Sequence, residues 1–142
     1  MGVDGGLLPV DYTCDGMGSS PALNWSGTPA GTRELAVLMS TLPGDGTIKY
    51  NWVLYGLPAA TTTLSKDSFG LGTLGVGSDG PAAAYQAPCS QGPGAKQYTF
   101  TVYALSATPT LTGSPVTGAA LATAMAPLTL AKASLTLNFT RT

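Results

Sequence analysis

Asn51 and Trp52 stand side by side near the start of the apolar segment from Tyr50 to Leu57, just after a polar loop, Pro43-Gly44-Asp45-Gly46. An amide beside a large aromatic can orient a ligand, because the amide both donates and accepts hydrogen bonds without titrating. Proton transfer would need other groups, and the 142-residue chain has no histidine. Ser-His-Asp and Cys-His arrangements are therefore excluded. Cys14 and Cys89 are the only soft metal ligands, which leaves a typical zinc centre without its donors, and neither a metal nor another cofactor is expected. The six cations, Arg33, Lys49, Lys66, Lys96, Lys132 and Arg141, are scattered, and the net charge is −1. No basic stripe tracks phosphates, so neither nucleic acid nor a polybasic contact with a membrane is expected. Gly70-x-Gly72-x-x-Gly75 matches a dinucleotide fingerprint in form only. No strand pattern precedes it, no helix pattern follows, and Ser78-Asp79-Gly80-Pro81 breaks the chain soon after.

The elements that must position these residues read mainly as strands. The length suits one domain over residues 1–142, and 44% hydrophobic content suffices for a core. Leu35-Ala36-Val37-Leu38-Met39 is an unbroken apolar run between turns, as a strand buried on both faces would have. Tyr50 to Leu57 follows as a second strand, rich in aromatic and branched residues. Shorter strands are expected over 8–13 and 22–26. Residues 59–95, dense in Gly and Pro, read as a long loop suited to a binding or lid role. Gln97 to Leu105 alternates, with Tyr98, Phe100, Val102 and Ala104 on one face. Residues 130–141 alternate likewise, with Leu135, Leu137 and Phe139 on one face. Between them, residues 114–126 form the one good helix candidate, capped by Ser114 or Thr117 and ended by Pro127. Mostly antiparallel strands with one or two short peripheral helices predict a β-sandwich.

No stretch is long and apolar enough to span a membrane as a helix. The first residues, MGVDGG, lack the regions of a signal peptide, so the protein is cytosolic or a leader has been removed. With only 9% charged residues, the Thr, Ala and Gly-rich composition favours a periplasmic or secreted protein. The two cysteines are compatible with one disulfide or with two buried thiols.

Several motifs, in order, resemble the phosphatidylethanolamine-binding proteins, in the bacterial branch called Raf-kinase-inhibitor-like. They are Tyr12-Thr13-Cys14-Asp15-Gly16, residues 20–27 (SPALNWSG), Pro29-x-Gly31-Thr32, residues 51–55 (NWVLY), Ala87-Pro88-Cys89, Tyr98-x-Phe100-x-Val102-Tyr103-Ala104-Leu105, and Thr117 through Leu135. The resemblance covers nearly the whole chain. It implies a central β-sandwich with peripheral helices and one small anion-accepting pocket at its end. In the family that pocket uses an Asp-Pro-Asp-x-Pro loop, a His before the Trp, a Gly-Pro segment and a His-x-Tyr element. Here the counterparts are Thr41 through Asp45, Asn51, Ala87-Pro88 and Lys96-Gln97-Tyr98; the helix-end His of bacterial members aligns with Leu128. The fold-determining positions survive while the titratable pocket positions do not.

The expected ligand-binding residues are Asn51, Trp52, Tyr85, Pro88, Tyr98, Asp45 and Lys96, with no catalytic residue assigned. Each has a purely structural alternative. Asn51 could satisfy buried backbone, and Trp52 and Tyr98 could be core. Tyr85, Asp45 and Lys96 could face solvent. The composition of the pocket points to a small-molecule-binding or regulatory protein with a histidine-free pocket and a neutral or apolar ligand. The resemblance also implies protein partners. The alternative is an enzyme without metal, a cyclase or isomerase that confines an apolar substrate and uses hydrogen bonds from Asn51 or Tyr98.

Overall fold

A computed structural model describes residues 3–42, 46–68, 70–89, 94–113 and 115–141. Among these residues the strands are β1 (Leu23–Asn24), β2 (Glu34–Thr41), β3 (Lys49–Pro58), β4 (Thr63–Leu64), β5 (Thr73–Leu74), β6 (Lys96–Leu105) and β7 (Thr129–Phe139), with one α-helix, α1 (Gly118–Met125), between the last two strands. Five strands form an antiparallel sheet in the order β5-β3-β2-β6-β7, and β1 pairs with β4 in a small antiparallel ribbon. The fold is the expected mainly-β one.

The central strand explains the unbroken apolar run. Leu35, Val37 and Met39 of β2 pack with Trp52, Leu54, Tyr98, Phe100 and Leu137, together with Leu64 of the ribbon. Ala36 and Leu38 point the other way, against Val53, Leu105 and, from α1, Leu121 and Met125. A strand covered on both faces needs no polar alternation. The ends of β6 and β7 that carry Tyr98 and Leu137 bury one face and keep the alternation seen in the sequence, whereas farther along β6 Tyr103 and Leu105 pack on the other face, against the cluster that includes α1. Tyr98 sits opposite Leu137 and Phe100 opposite Leu135. On the opposite face the hydroxyls of Thr99 and Thr136 (3.0 Å) and of Thr101 and Ser134 (2.9 Å) pair across the strands.

Thr117 caps α1, its hydroxyl accepting from the Ala120 N–H at 3.1 Å, and Pro127 falls in the 3-10 turn Ala126–Leu128 that follows. Ser114 lies outside the described residues. Two short expectations change. Residues 8–13 are not a strand, because the Thr13 N–H returns to the Val10 carbonyl (3.0 Å) and closes the 3-10 turn Val10–Tyr12. The long loop contains β4 and β5, each of two residues and held by pairing to distant strands.

The glycine motif packs against β3, and no helix follows it among the described residues before β6. β5 occupies its middle, and the next residues bond backward: Gly75 N–H to the Val53 carbonyl (2.8 Å) and Val76 N–H to the Val116 carbonyl (2.7 Å). A methyl at Gly75 would lie 2.5 Å from the Val116 oxygen and 2.7 Å from Val53 Cγ1. Gly75→Ala should therefore cost about 1–3 kcal/mol, the usual range for overpacking. Urea unfolding measures this, and a loss below a few tenths of a kcal/mol would mean the backbones are not held this close.

Candidate functional site

The C-terminal end of β2 and the N-terminal ends of β3 and β6 meet at one end of the sheet, with Thr41 opposite Lys49 on one side and Tyr98 on the other. A cavity of about 280 Å³ opens there, lined by Thr41, Lys49, Asn51, Lys96 and Tyr98 from the strands and by Asp79 and Cys89 from the following loops.

Asn51 reaches the cavity through a break in strand pairing. Met39 pairs with Trp52 and Ser40 with Tyr50, so Asn51 is the extra residue of a β-bulge. A bulge bends the strand and re-aims a side chain. Tyr50 and Trp52 consequently pack on opposite sides of the sheet, although two residues apart they would ordinarily share a face. A second bulge at Gly56 (φ +71) restores the pattern further on, putting Leu54 and Leu57 in one core cluster. The bulged residue is gripped by Gln86. The Gln86 N–H donates to the Asn51 carbonyl (2.7 Å), and Asn51 Nδ2 donates to the Gln86 carbonyl (3.1 Å). Gln86 Oε1 in turn accepts from the Asp79 N–H (2.9 Å). Asn51 is buried and its Oδ1 has no hydrogen-bond partner among the described residues; Gln86 Nε2 is likewise buried and unpartnered among them.

The wall carries both signs of charge. Lys49 Nζ lies 3.5 Å from Asp79 Oδ1, an exposed pair of small energetic weight. Lys96 has no ion-pair partner among the described residues. Tyr98 is almost fully buried, and its hydroxyl makes no hydrogen bond among the described residues. Burial, and secondarily the Asp79 charge, push its phenol above the ordinary value. It is therefore protonated at neutral pH and acts as a donor rather than a base. Cys89 is bonded to Cys14 across 75 residues of sequence. Cys14 N–H donates to the Pro88 carbonyl (3.1 Å), and Arg141 reaches both Asp15 (3.0 Å) and the Cys89 carbonyl (3.1 Å), fixing this wall.

The residues singled out from the sequence thus divide. Asn51, Lys96 and Tyr98 come together in the cavity. Trp52 and Tyr85 meet edge to face, with ring centres 5.5 Å apart, and line a second, more apolar cavity of about 180 Å³ with Gly18, Ser20, Asp67 and Leu74. Tyr85 is not a solvent-facing tyrosine, since its hydroxyl donates to the Tyr12 carbonyl at 2.7 Å. Pro88 is buried beside the disulfide and lines neither cavity. Asp45 lies outside the described residues. Thr41, which the resemblance placed in the pocket loop, does line the cavity, and sequence reasoning missed Lys49, Asp79 and Gln86 as wall or support. Lys49 sits two residues before Asn51, which was a usable signal. Asp79 and Gln86 lie in the irregular stretch, where no periodicity pointed to them.

The chain matches the family model for phosphatidylethanolamine-binding protein over residues 2–140. It is 33% identical over 107 residues to a UPF0098 protein of Methanothermobacter thermautotrophicus, covering 72% of this chain and 70% of that one. It is 31% identical over 106 residues to LppC of Mycobacterium tuberculosis, which is named as a lipoprotein; the match covers 74% of this chain but only 52% of LppC. Escherichia coli YbcL, a member of the mammalian PEBP family, superposes with a TM-score of 0.87 at 24% identity, over 99% of this chain and 94% of that one.

Proposed function

The chain belongs to the phosphatidylethanolamine-binding protein family, and from that premise we propose that it binds a small acidic molecule in the cavity at the end of the sheet. The observation that carries this reading is Lys96, an ammonium on the cavity wall with no ion-pair partner among the described residues. Lys49 adds a second positive charge, already shared with Asp79, and Tyr98 adds a neutral donor. A carboxylate or phosphate entering here finds charge-assisted donors in a partly dry site, where such bonds are about twice as strong as neutral ones. The loss of the family's histidines argued for a neutral or apolar ligand; this wall argues for an acidic one. The role is binding or regulation. The location we infer is the cell envelope or outside, because the Cys14–Cys89 bridge suits an oxidising compartment and a relative carries a lipoprotein name.

A thermal-shift series tests the reading with inorganic phosphate, small carboxylates and neutral apolar compounds. Acids present at a hundred times their Kd should stabilise by about 2.7 kcal/mol. The effect should shrink with added salt and be largely lost in Lys96→Gln. Stabilisation by neutral apolar compounds alone would reverse the conclusion.

A further inference from the structure

β7 is the outer strand of the five-stranded sheet, and β6 pairs with it on one side only. The chain's own N-terminal segment closes part of the other side. The Gly5 N–H donates to the Thr136 carbonyl and the Leu8 N–H to the Asn138 carbonyl, each at 2.8 Å. In return the Thr136 N–H donates to the Asp4 carboxylate and the Asn138 N–H to the Gly6 carbonyl, also at 2.8 Å. Thr136 and Asn138 thus turn their backbone groups away from β6. Pairing alternates along a strand, so Ser134 and Lys132 do the same. The side chains agree: the Thr99–Thr136 and Thr101–Ser134 hydroxyls meet closely, as in pairs that exchange no backbone hydrogen bonds. Among the described residues nothing bonds the outward N–H and C=O of Lys132 and Ser134, and residues 130–134 are all exposed. The register is unbroken from Ala131 to Phe139, so this stretch is a regular, open template.

The two faces beside this edge differ. On the face of Ala131 and Ala133, a cleft of about 230 Å³ runs between β7, Val102 and the loop at Trp25 and Pro29. A smaller one of about 130 Å³ continues past Trp25 toward Phe100 and Leu135. The small alanines leave this apolar groove open, and Trp25 is held in place by its Nε1–H, which donates to the Thr61 carbonyl at 2.9 Å. On the other face stands Lys132, exposed and with no ion-pair partner among the described residues. β7 itself contains no acid. Two copies joined through this edge would bring their Lys132 ammoniums together with no carboxylate from either strand to answer them, which disfavours a second copy as the occupant.

We propose that residues 131–134 of β7 are a docking edge for an extended segment of another protein, which adds as an antiparallel strand and carries a large apolar residue next to an acidic one. The backbone groups of Lys132 and Ser134 supply the main-chain hydrogen bonds, and alternate side chains supply the selectivity. The residue opposite Ala133 covers the Trp25 groove, and the residue opposite Lys132 sets a carboxylate against its ammonium. A lysine on such an edge discourages indiscriminate pairing, and here it selects the acid.

The test titrates the full, isotope-labelled chain with blocked peptides whose central residues are Thr-Phe-Glu, Thr-Phe-Lys or Thr-Ala-Glu in a Thr-rich frame. With Thr-Phe-Glu at saturation, amide exchange at Lys132 and Ser134 should slow about tenfold or more, while that of Ala133, whose N–H already points to β6, should not change. Replacing Glu by Lys should weaken binding about fivefold, and replacing Phe by Ala about tenfold. Methylating the peptide's Thr and Glu nitrogens, which donate to the edge, should abolish binding. Ser134→Pro removes the outward N–H where an edge strand tolerates proline, and should lose the peptide as well. No slowing at Lys132 and Ser134 with any peptide up to about 5 mM would overturn the inference. Equal affinity for the Glu and Lys peptides, or full affinity in Ser134→Pro, would overturn it too. So would slowing that grows with protein concentration in the absence of peptide, because a second copy would then fill the edge. The peptide comparisons on the unmodified chain need no variant to fold.

Discussion

Removing the Cys14–Cys89 bridge should lower the melting temperature by roughly 10–15 °C. The bridge spans 75 residues of sequence, and closing a loop of that length in the unfolded chain is worth about 4 kcal/mol on the chain-entropy account. A domain of this size loses about 3 °C per kcal/mol. The native site imposes no evident counter-cost. The two Cα atoms are 5.3 Å apart, within the usual range. The strands of chain that the bridge joins are also bonded directly, through Cys14 N–H to Pro88 and through Arg141 to Asp15 and Cys89. Calorimetry on Cys14→Ser/Cys89→Ser against the oxidised protein measures the effect. A shift of less than about 3 °C would mean that these hydrogen bonds hold the wall without the bridge. Because Cys89 lines the cavity, and Gln86 and Pro88 precede it closely, the double variant should also weaken acid binding more than Gly75→Ala, which is destabilised away from the cavity wall.

The second large effect is alkaline unfolding. Three tyrosines have pKa values raised above their ordinary value near 10. Burial dominates in each case. The neighbouring phenols of Tyr98 and Tyr12 add to it for Tyr85, Asp79 for Tyr98, and Tyr50 for Tyr103, where a hydrogen bond with Thr101 works in the opposite direction. A phenol whose folded pKa is raised stays neutral in the native state while the unfolded chain ionises. Stability from these groups is thus fully present below about pH 10 and is lost as pH rises toward the folded values. The expected result is a melting temperature that is flat in this respect at neutral pH and falls steeply above about pH 10, with the phenolates of these three tyrosines forming together with loss of tertiary structure. Tyr85→Phe removes the most strongly shifted of these phenols and should reduce the steepness of the fall, while sacrificing the bond to the Tyr12 carbonyl at neutral pH. Phenolate forming near pH 10 on Tyr85, Tyr98 or Tyr103 themselves, read from the ring resonances of each in a protein still folded, would contradict the burial of these rings.

Much of the architecture was legible in the residues. Local patterns state whether a segment is covered on one face or two. The run Leu35 to Met39 belonged to a strand with core on both sides, and the alternation around Tyr98 and Leu137 belonged to strands with one wet face. Thr117, one of the two caps the sequence offered beside Ser114, stands at the helix start, because a cap acts over only three residues. The family motifs also located the end of the sheet, where Asn51, Lys96 and Tyr98 converge.

What the sequence could not determine was whatever depended on two distant segments meeting. Composition left the cysteines open between a bridge and two thiols, since 75 residues of spacing carry no geometry, and the fold joined them. Adjacency suggested that Asn51 and Trp52 share a site. The bulge at Asn51, set by how β3 pairs with β2, sent Trp52 to the core beside Tyr85 and left Asn51 on the cavity wall. Asp79 and Gln86 came from a stretch without periodicity; the Gln86 N–H bond to Asn51, the Ser78 N–H bond to Tyr50 and the Asp79 N–H bond to Gln86 Oε1 hold them at the site. Local chemistry determined the strands of this protein. Long-range pairing decided which side chains face one another, because a bulge or a disulfide is a relation between segments and leaves no mark on either one alone.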